Sequence, residues 1–115
     1  MTKETLKQYA KNDVYDEDLW IFIDEIYPEE NRPVAFGMAD LDPEMKEGIL
    51  EWIQVLPEYR RKGLGKALVS ELLTRMKGKA KFATVSGDCN NINDPINLYR
   101  KSGFIGKNIW YIAYL

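Results

Sequence analysis

Histidine is absent from this chain of 115 residues, and cysteine occurs once, as Cys89. Without histidine neither a zinc site nor a histidine-based triad is plausible, and one cysteine cannot close an internal disulfide. Carboxylates, tyrosines, lysines and backbone amides are left to do any chemistry. Long apolar runs are lacking too. None approaches the ~20 residues of a membrane-spanning helix, and the N-terminus is polar, without a signal-peptide core. We therefore expect no membrane association and a cytoplasmic location. Nor is there an excess of one charge: 16 basic residues stand against 18 acidic ones, a net charge of −2. No global field favours nucleic acid. The length suits a single domain with one core over residues 1–115.

What is present is best read from hydrophobic periodicity. Residues 3–11 form a short polar helix candidate inside an N-terminal segment 1–18, and the core of the domain runs over 19–115. Leu19 to Ile26 alternate as a strand, a turn follows at Pro28-Glu29-Glu30-Asn31, and Val34 to Leu41 complete a hairpin. Asp42-Pro43 opens a charged loop before Gly48 to Leu56, an apolar run suited to a central strand. From Leu64 to Met76 the apolar residues recur at helical spacing, and Gly78 predicts the stop. Lys81 to Ser86 reads as a strand, Pro95 as the first position of a helix capped by Asn93 or Asp94, and Ile105 to Tyr114 as one final strand. The order α-β-β-β-α-β-α-β predicts an α/β chain with a mixed sheet: a three-stranded meander, a crossover helix, a parallel strand, a second helix and a closing strand.

The most informative stretch joins the central strand to the long helix: Val55-Leu56-Pro57-Glu58-Tyr59-Arg60-Arg61-Lys62-Gly63-Leu64-Gly65-Lys66. Gly63 and Gly65 leave the backbone open to an anion, and the free N–H groups of a first helical turn share the positive end of the helix dipole. Arg60, Arg61, Lys62 and Lys66 add charge around that point. A Walker loop would need glycine at position 60 and Ser or Thr at 67, where this chain has Arg60 and Ala67. A dinucleotide fingerprint would need a third glycine where Leu68 stands. The pattern Arg-x-x-Gly-x-Gly after Val-x-Pro resembles instead the acetyl-CoA motif of the GNAT superfamily of N-acetyltransferases. Asn93-Asp94-Pro95-Ile96-Asn97-Leu98-Tyr99-Arg100-Lys101-Ser102-Gly103-Phe104 resembles that family's second segment, an asparagine ahead of a short helix ending in Gly-Phe.

The resemblance implies a GNAT-like fold and transfer of the acetyl group of acetyl-CoA to an amine of a small molecule or peptide, by direct attack in a ternary complex. It implies that the strands at 48–56 and 80–86 part at their C-terminal ends and take the pantetheine arm between them. Arg60, Gly63 and Gly65 would hold the pyrophosphate, with Pro57, Arg61, Lys62, Leu64 and Lys66 completing the loop, and Arg61, Lys62 or Lys66 meeting the 3′-phosphate. The family's asparagine usually falls where this chain has Ile92, which leaves Asn91 and Asn93 as candidates for the cofactor. An acceptor amine with a pKa near ~10 must lose a proton, and Glu51 is the candidate base, expected on one strand face with Ile49, Ile53 and Val55. Backbone N–H groups between Ile53 and Leu56 would steady the thioester oxygen, and Tyr99 matches the family's acid for the departing thiolate. Phe104 is assigned to the core, and no role is given to Cys89.

Two departures carry expectations of their own. The family places a strand and two helices ahead of the hairpin, whereas eighteen residues precede Leu19. Part of the acceptor wall is expected to be missing, which makes a non-catalytic acetyl-CoA or CoA-binding module, a sensor or partner subunit, the alternative to an enzyme. The family also ends in a two-stranded hairpin, and the eleven residues after Phe104 are expected to hold one strand. A homodimer covering the bare sheet is predicted, with Trp110, Tyr111 and Tyr114 as interface candidates. Asp13, Asp16, Glu17 and Asp18, or Asp40, Asp42 and Glu44, are candidates to line a cationic acceptor site.

Overall fold

The computed structural model describes residues 16–26, 28–86, 95–107 and 110–115. The helix expected over 3–11, Asp13, Cys89, Asn91 and Asn93 lie outside them. A 3₁₀ turn at Glu17–Leu19 leads into β1 (Trp20–Ile26), β2 (Asn31–Asp42) and β3 (Glu47–Val55); a second 3₁₀ turn at Pro57–Tyr59 precedes α1 (Leu64–Met76). Then come β4 (Phe82–Ser86), α2 (Pro95–Lys101), β5 (Ile105–Lys107) and β6 (Trp110–Tyr114). They make one six-stranded sheet in the order β1-β2-β3-β4-β6-β5. Every neighbouring pair is antiparallel except β3 with β4, the parallel step that the crossover through α1 requires.

The end of the chain departs from expectation. Two strands, β5 and β6, stand where one was predicted, pairing Ile105 with Ile112 and Lys107 with Trp110. Gly106 makes so tight a pairing possible, because a Cβ there would sit 2.9 Å from the Tyr111 Cα. The chain thus closes on a short antiparallel hairpin rather than on a single strand.

The core lies between the sheet and the two helices. Leu68, Val69, Leu72 and Met76 are the buried stripe of α1, and Ala35, Ala39 and Leu50 face them from β2 and β3. Small residues on the sheet let the helix approach: Leu68, Leu72 and Ile53 converge on Gly37, and a Cβ there would lie 3.3 Å from Leu72 Cδ1. Each fully buried leucine contributes roughly 1.5–3 kcal/mol of transfer free energy. Tyr99 and Phe104 extend this core under α2, their rings edge-to-face at 5.9 Å, with Ala83, Val85 and Tyr111 below. No helix among the described residues is long and apolar enough to cross a membrane.

Candidate active site

β3 is paired from end to end on one edge, with one residue bulged out, and only partly on the other. Toward β2 it pairs from Glu47 opposite Asp42 to Val55 opposite Ala35. Toward β4 the ladder covers Glu47–Phe82, Gly48–Ala83 and Ile49–Thr84 and then stops, so the two parallel strands part as expected. Antiparallel pairing sends alternate N–H groups to alternate edges. Leu56 N–H donates to Val34 O at 2.9 Å, so with this register Gln54 and Trp52 also turn toward β2, and Ile53 and Val55 turn toward the gap. This removes Leu56 from the expected set of open donors and leaves Ile53 and Val55. The carbonyl of Val55, on the same edge, accepts from Arg60 Nε at 3.3 Å.

The gap opens onto the basic turn. Arg61 at φ 64 and Gly63 at φ 80 both take left-handed backbone, reversing the chain so that Leu64 can start α1. A Cβ at Gly63 would meet nothing within 4 Å, and no side chain caps the helix. The first bond inside α1 runs from Ala67 N–H to Gly63 O at 3.0 Å. The preceding N–H groups of an α-helix have no partner within it, so an uncapped, glycine-led N-terminus presents bare donors. Gly65 serves a different purpose: a Cβ there would touch Leu98 Cδ2 at 3.4 Å, so this glycine keeps α2 close to α1. Pro57, Arg60, Arg61, Lys62 and Lys66 are all exposed around the turn, and Leu64 is half-buried.

The third feature lies on the sheet face opposite α1. Met38 pairs with Trp52 and Ala39 with Leu50, which leaves Glu51 as the extra residue of a β-bulge. The bulge corrects the expected alternation. Ile53 and Val55 join Leu50 against the core under α1 rather than sharing a face with Glu51, because the extra residue flips the strand's parity. Glu51 is turned instead toward Asp40, which lies opposite Ile49 and is 6% exposed. The two carboxyl groups hydrogen-bond each other. Burial raises the pKa of Asp40, partly offset by the bond to Glu51; burial, then the charge of Asp40, then that bond raise Glu51. Both carboxyl groups are thus held above the ordinary carboxylate range. Oδ1 of Asp40 is buried without a hydrogen-bond partner among the described residues.

Tyr99 sits on α2, 8% exposed, and burial raises its pKa, so its phenol keeps its proton. Leu98 against Gly65 fixes where that helix stands relative to the turn. Two groups of acidic residues are spent on structure. Lys79 Nζ bridges Asp16 at 2.9 Å and Asp18 at 3.0 Å, and Asp42 Oδ1 accepts from the N–H groups of Glu44 and Met45 in the β2–β3 turn. Of the described acidic residues proposed around an acceptor, Asp40 is the one coupled to Glu51. A charged residue inside the otherwise apolar Val34–Leu41 strand was the available signal for it. Tyr59 was missed: it donates its hydroxyl to the Glu25 carboxylate on β1.

A family model described as the acetyltransferase (GNAT) family matches residues 2–104. No curated protein sequence matches the chain. Among solved structures it is similar to the ribosomal-protein-S18-alanine N-acetyltransferase from Escherichia coli, with 18% identity and a TM-score of 0.72 over 99% of this chain and 77% of that one. It is similar to a chain of the NatC complex bound to Gag peptide and CoA, with 19% identity and a TM-score of 0.77 over 98% and 77%. A GNAT family acetyltransferase from Elizabethkingia anophelis with acetyl-CoA bound shares 17% identity, with a TM-score of 0.67 over 99% and 84%.

Proposed function

The chain belongs to the acetyltransferase (GNAT) family, and from that premise we propose that it is an enzyme transferring the acetyl group of acetyl-CoA to an amine by direct attack in a ternary complex. The parting of β3 from β4 immediately before a glycine-led helix N-terminus carries the reading. The open N–H groups of Ile53 and Val55 suit the amide groups of a pantetheine arm and the thioester oxygen. The uncapped start of α1 at Gly63, Leu64, Gly65 and Lys66 suits a pyrophosphate, and Arg60, Arg61 and Lys62 supply counter-charge. Acetyl-CoA or CoA is held by two of the similar structures.

In this mechanism Glu51 takes the proton of the acceptor ammonium, and its raised proton affinity makes the ionised form a better base. The amine nitrogen bonds to the thioester carbon while the C–S bond breaks. Tyr99 gives its phenolic proton to the sulfur, or hydrogen-bonds it, as the thiolate departs, and the second proton lost by the amine nitrogen balances the one the sulfur gains. Asn91 and Asn93 stay proposed cofactor contacts. A homodimer is proposed through Ile105, Trp110 and Tyr114, exposed on one face of β5 and β6; Tyr111 leaves that list because it is 3% exposed, under Arg100 at 5.9 Å. Sedimentation of Trp110→Glu is expected to give monomer where wild type gives dimer.

Calorimetric titration with acetyl-CoA, followed by thiol release against a panel of amines, tests the enzyme. Micromolar binding and amine-dependent release support it. Binding without release from any amine leaves a CoA-binding module, and no binding by folded protein removes both.

A further inference from the structure

Of residues 57–63, which carry the chain from β3 to α1, only Tyr59 is even partly buried; the rest are exposed. It stands at the end of the 3₁₀ turn, and its hydroxyl donates to Glu25 on β1, at the far edge of the β1–β2–β3 meander. On its other side Lys62 Nζ lies 5.2 Å from the ring centroid, within cation–π range. Lys62 is itself bracketed by the two left-handed residues, Arg61 at φ 64 and Gly63 at φ 80. Left-handed backbone at a non-glycine residue is disfavoured and persists when its surroundings impose it. The other tie on the turn, Arg60 Nε to Val55 O, reaches back only to the strand the turn has just left. Tyr59 is therefore the turn's one side-chain tie, among the described residues, to a separate part of the sheet.

We propose that Tyr59 is a positioning residue for the phosphate-binding turn, anchored by Glu25 and placing the ammonium of Lys62 beside the bare N-terminus of α1. This deepens the acetyl-CoA reading and rests on it for the identity of the anion. The physical role is preorganisation. A turn held in its bound shape loses less conformational freedom when the phosphates arrive, and a cation held by a ring on one side presents its remaining donors on the other. Tyr59→Phe keeps the ring and its hold on Lys62 but removes the donor. Glu25→Ala removes the acceptor. Both break the same bond, so their effects should not add.

The test uses the free protein and two probes, CoA and pantetheine, the latter lacking every phosphate. In the free protein, amide hydrogen exchange over residues 57–66 is expected to rise in Tyr59→Phe and Glu25→Ala, with exchange in α1 beyond its first turn unchanged. CoA affinity by calorimetry should fall about tenfold in each variant and no further in the double variant, the size expected for one hydrogen bond to a charged group. Pantetheine affinity, followed by ligand-observed NMR, should stay within about twofold, which a general loss of structure could not produce. Unchanged exchange together with unchanged CoA affinity overturns the positioning role, as do additive losses or an equal loss for pantetheine. If exchange rises but wild type binds no CoA, the tie stands and the acetyl-CoA reading falls.

Discussion

The phosphate turn follows the C-terminal end of β3, the carboxylate pair sits at the middle of that strand, and the two are built in opposite ways. The turn is ten contiguous residues, 57–66, whose useful groups are backbone N–H groups made available by Gly63 and an uncapped helix. The pair joins β2 to β3 through a bulge, and its useful groups are two side chains, one of them buried. At the pair itself, from Ile49 to Glu51, β3 loses its ladder with β4 on one edge and its regular register with β2 on the other. A strand irregular on both edges within three residues leaves donors, acceptors and charge unspent in one place. Stability would favour regular pairing there, and the exception marks the site.

The sharpest way to break this comparison is to disable the turn alone. Gly63→Glu puts a side chain and a negative charge on left-handed backbone facing the anion, and acetyl-CoA affinity is expected to fall by about a hundredfold or more in calorimetry. The carboxylate pair should titrate as before, since nothing within 4 Å of a Gly63 Cβ connects the two regions. The converse, Glu51→Gln, should lower kcat/KM about a hundredfold while leaving acetyl-CoA affinity within about twofold, as befits a proton acceptor that does not touch the phosphates. Tyr99→Phe should cost less, about tenfold in kcat, because a departing thiolate with a pKa near ~8.5 can also take its proton from water. Loss of cofactor affinity in Glu51→Gln would mean that the two regions act as one.

The same contrast explains what could be read from the chain. The phosphate turn was legible because its chemistry is local: glycine spacing, flanking charge and the strand-to-helix change all fall inside a dozen residues. The strands, α1 and the Pro95 start of α2 were legible for the same reason, by periodicity and punctuation. Glu51 was found as a residue but assigned the wrong face, since a single extra residue in β3 inverts every side chain after it and no local signal announces a bulge. The pairing with Asp40 depends on register across the β2–β3 loop, and the bond from Tyr59 to Glu25 spans 34 positions. The closing hairpin was missed because its strands, Ile105–Lys107 and Trp110–Tyr114, are short enough to read as one run.

The finest test separates burial from charge within the pair. Burial is the leading cause of the raised Glu51 pKa, and the Asp40 charge comes second. In Asp40→Asn the charge goes, and the new amide can donate to the Glu51 carboxylate, so the acid limb of kcat/KM should move to lower pH. It should not return fully to an ordinary glutamate, because the burial remains. The same substitution affects folding with a definite sign. Carboxyls raised in the native state keep protons that the unfolded chain has lost above pH ~4, so their contribution is fully present below that pH and declines as pH rises through the native values. Asparagine at 40 should make that decline shallower, leaving the variant about 0.5 kcal/mol more stable than wild type at pH 8 in urea unfolding, the scale of one like-charge cross-strand pair. An acid limb that stays where wild type has it would mean that Glu51 is tuned by burial alone, and Asp40 would then be a structural residue of β2.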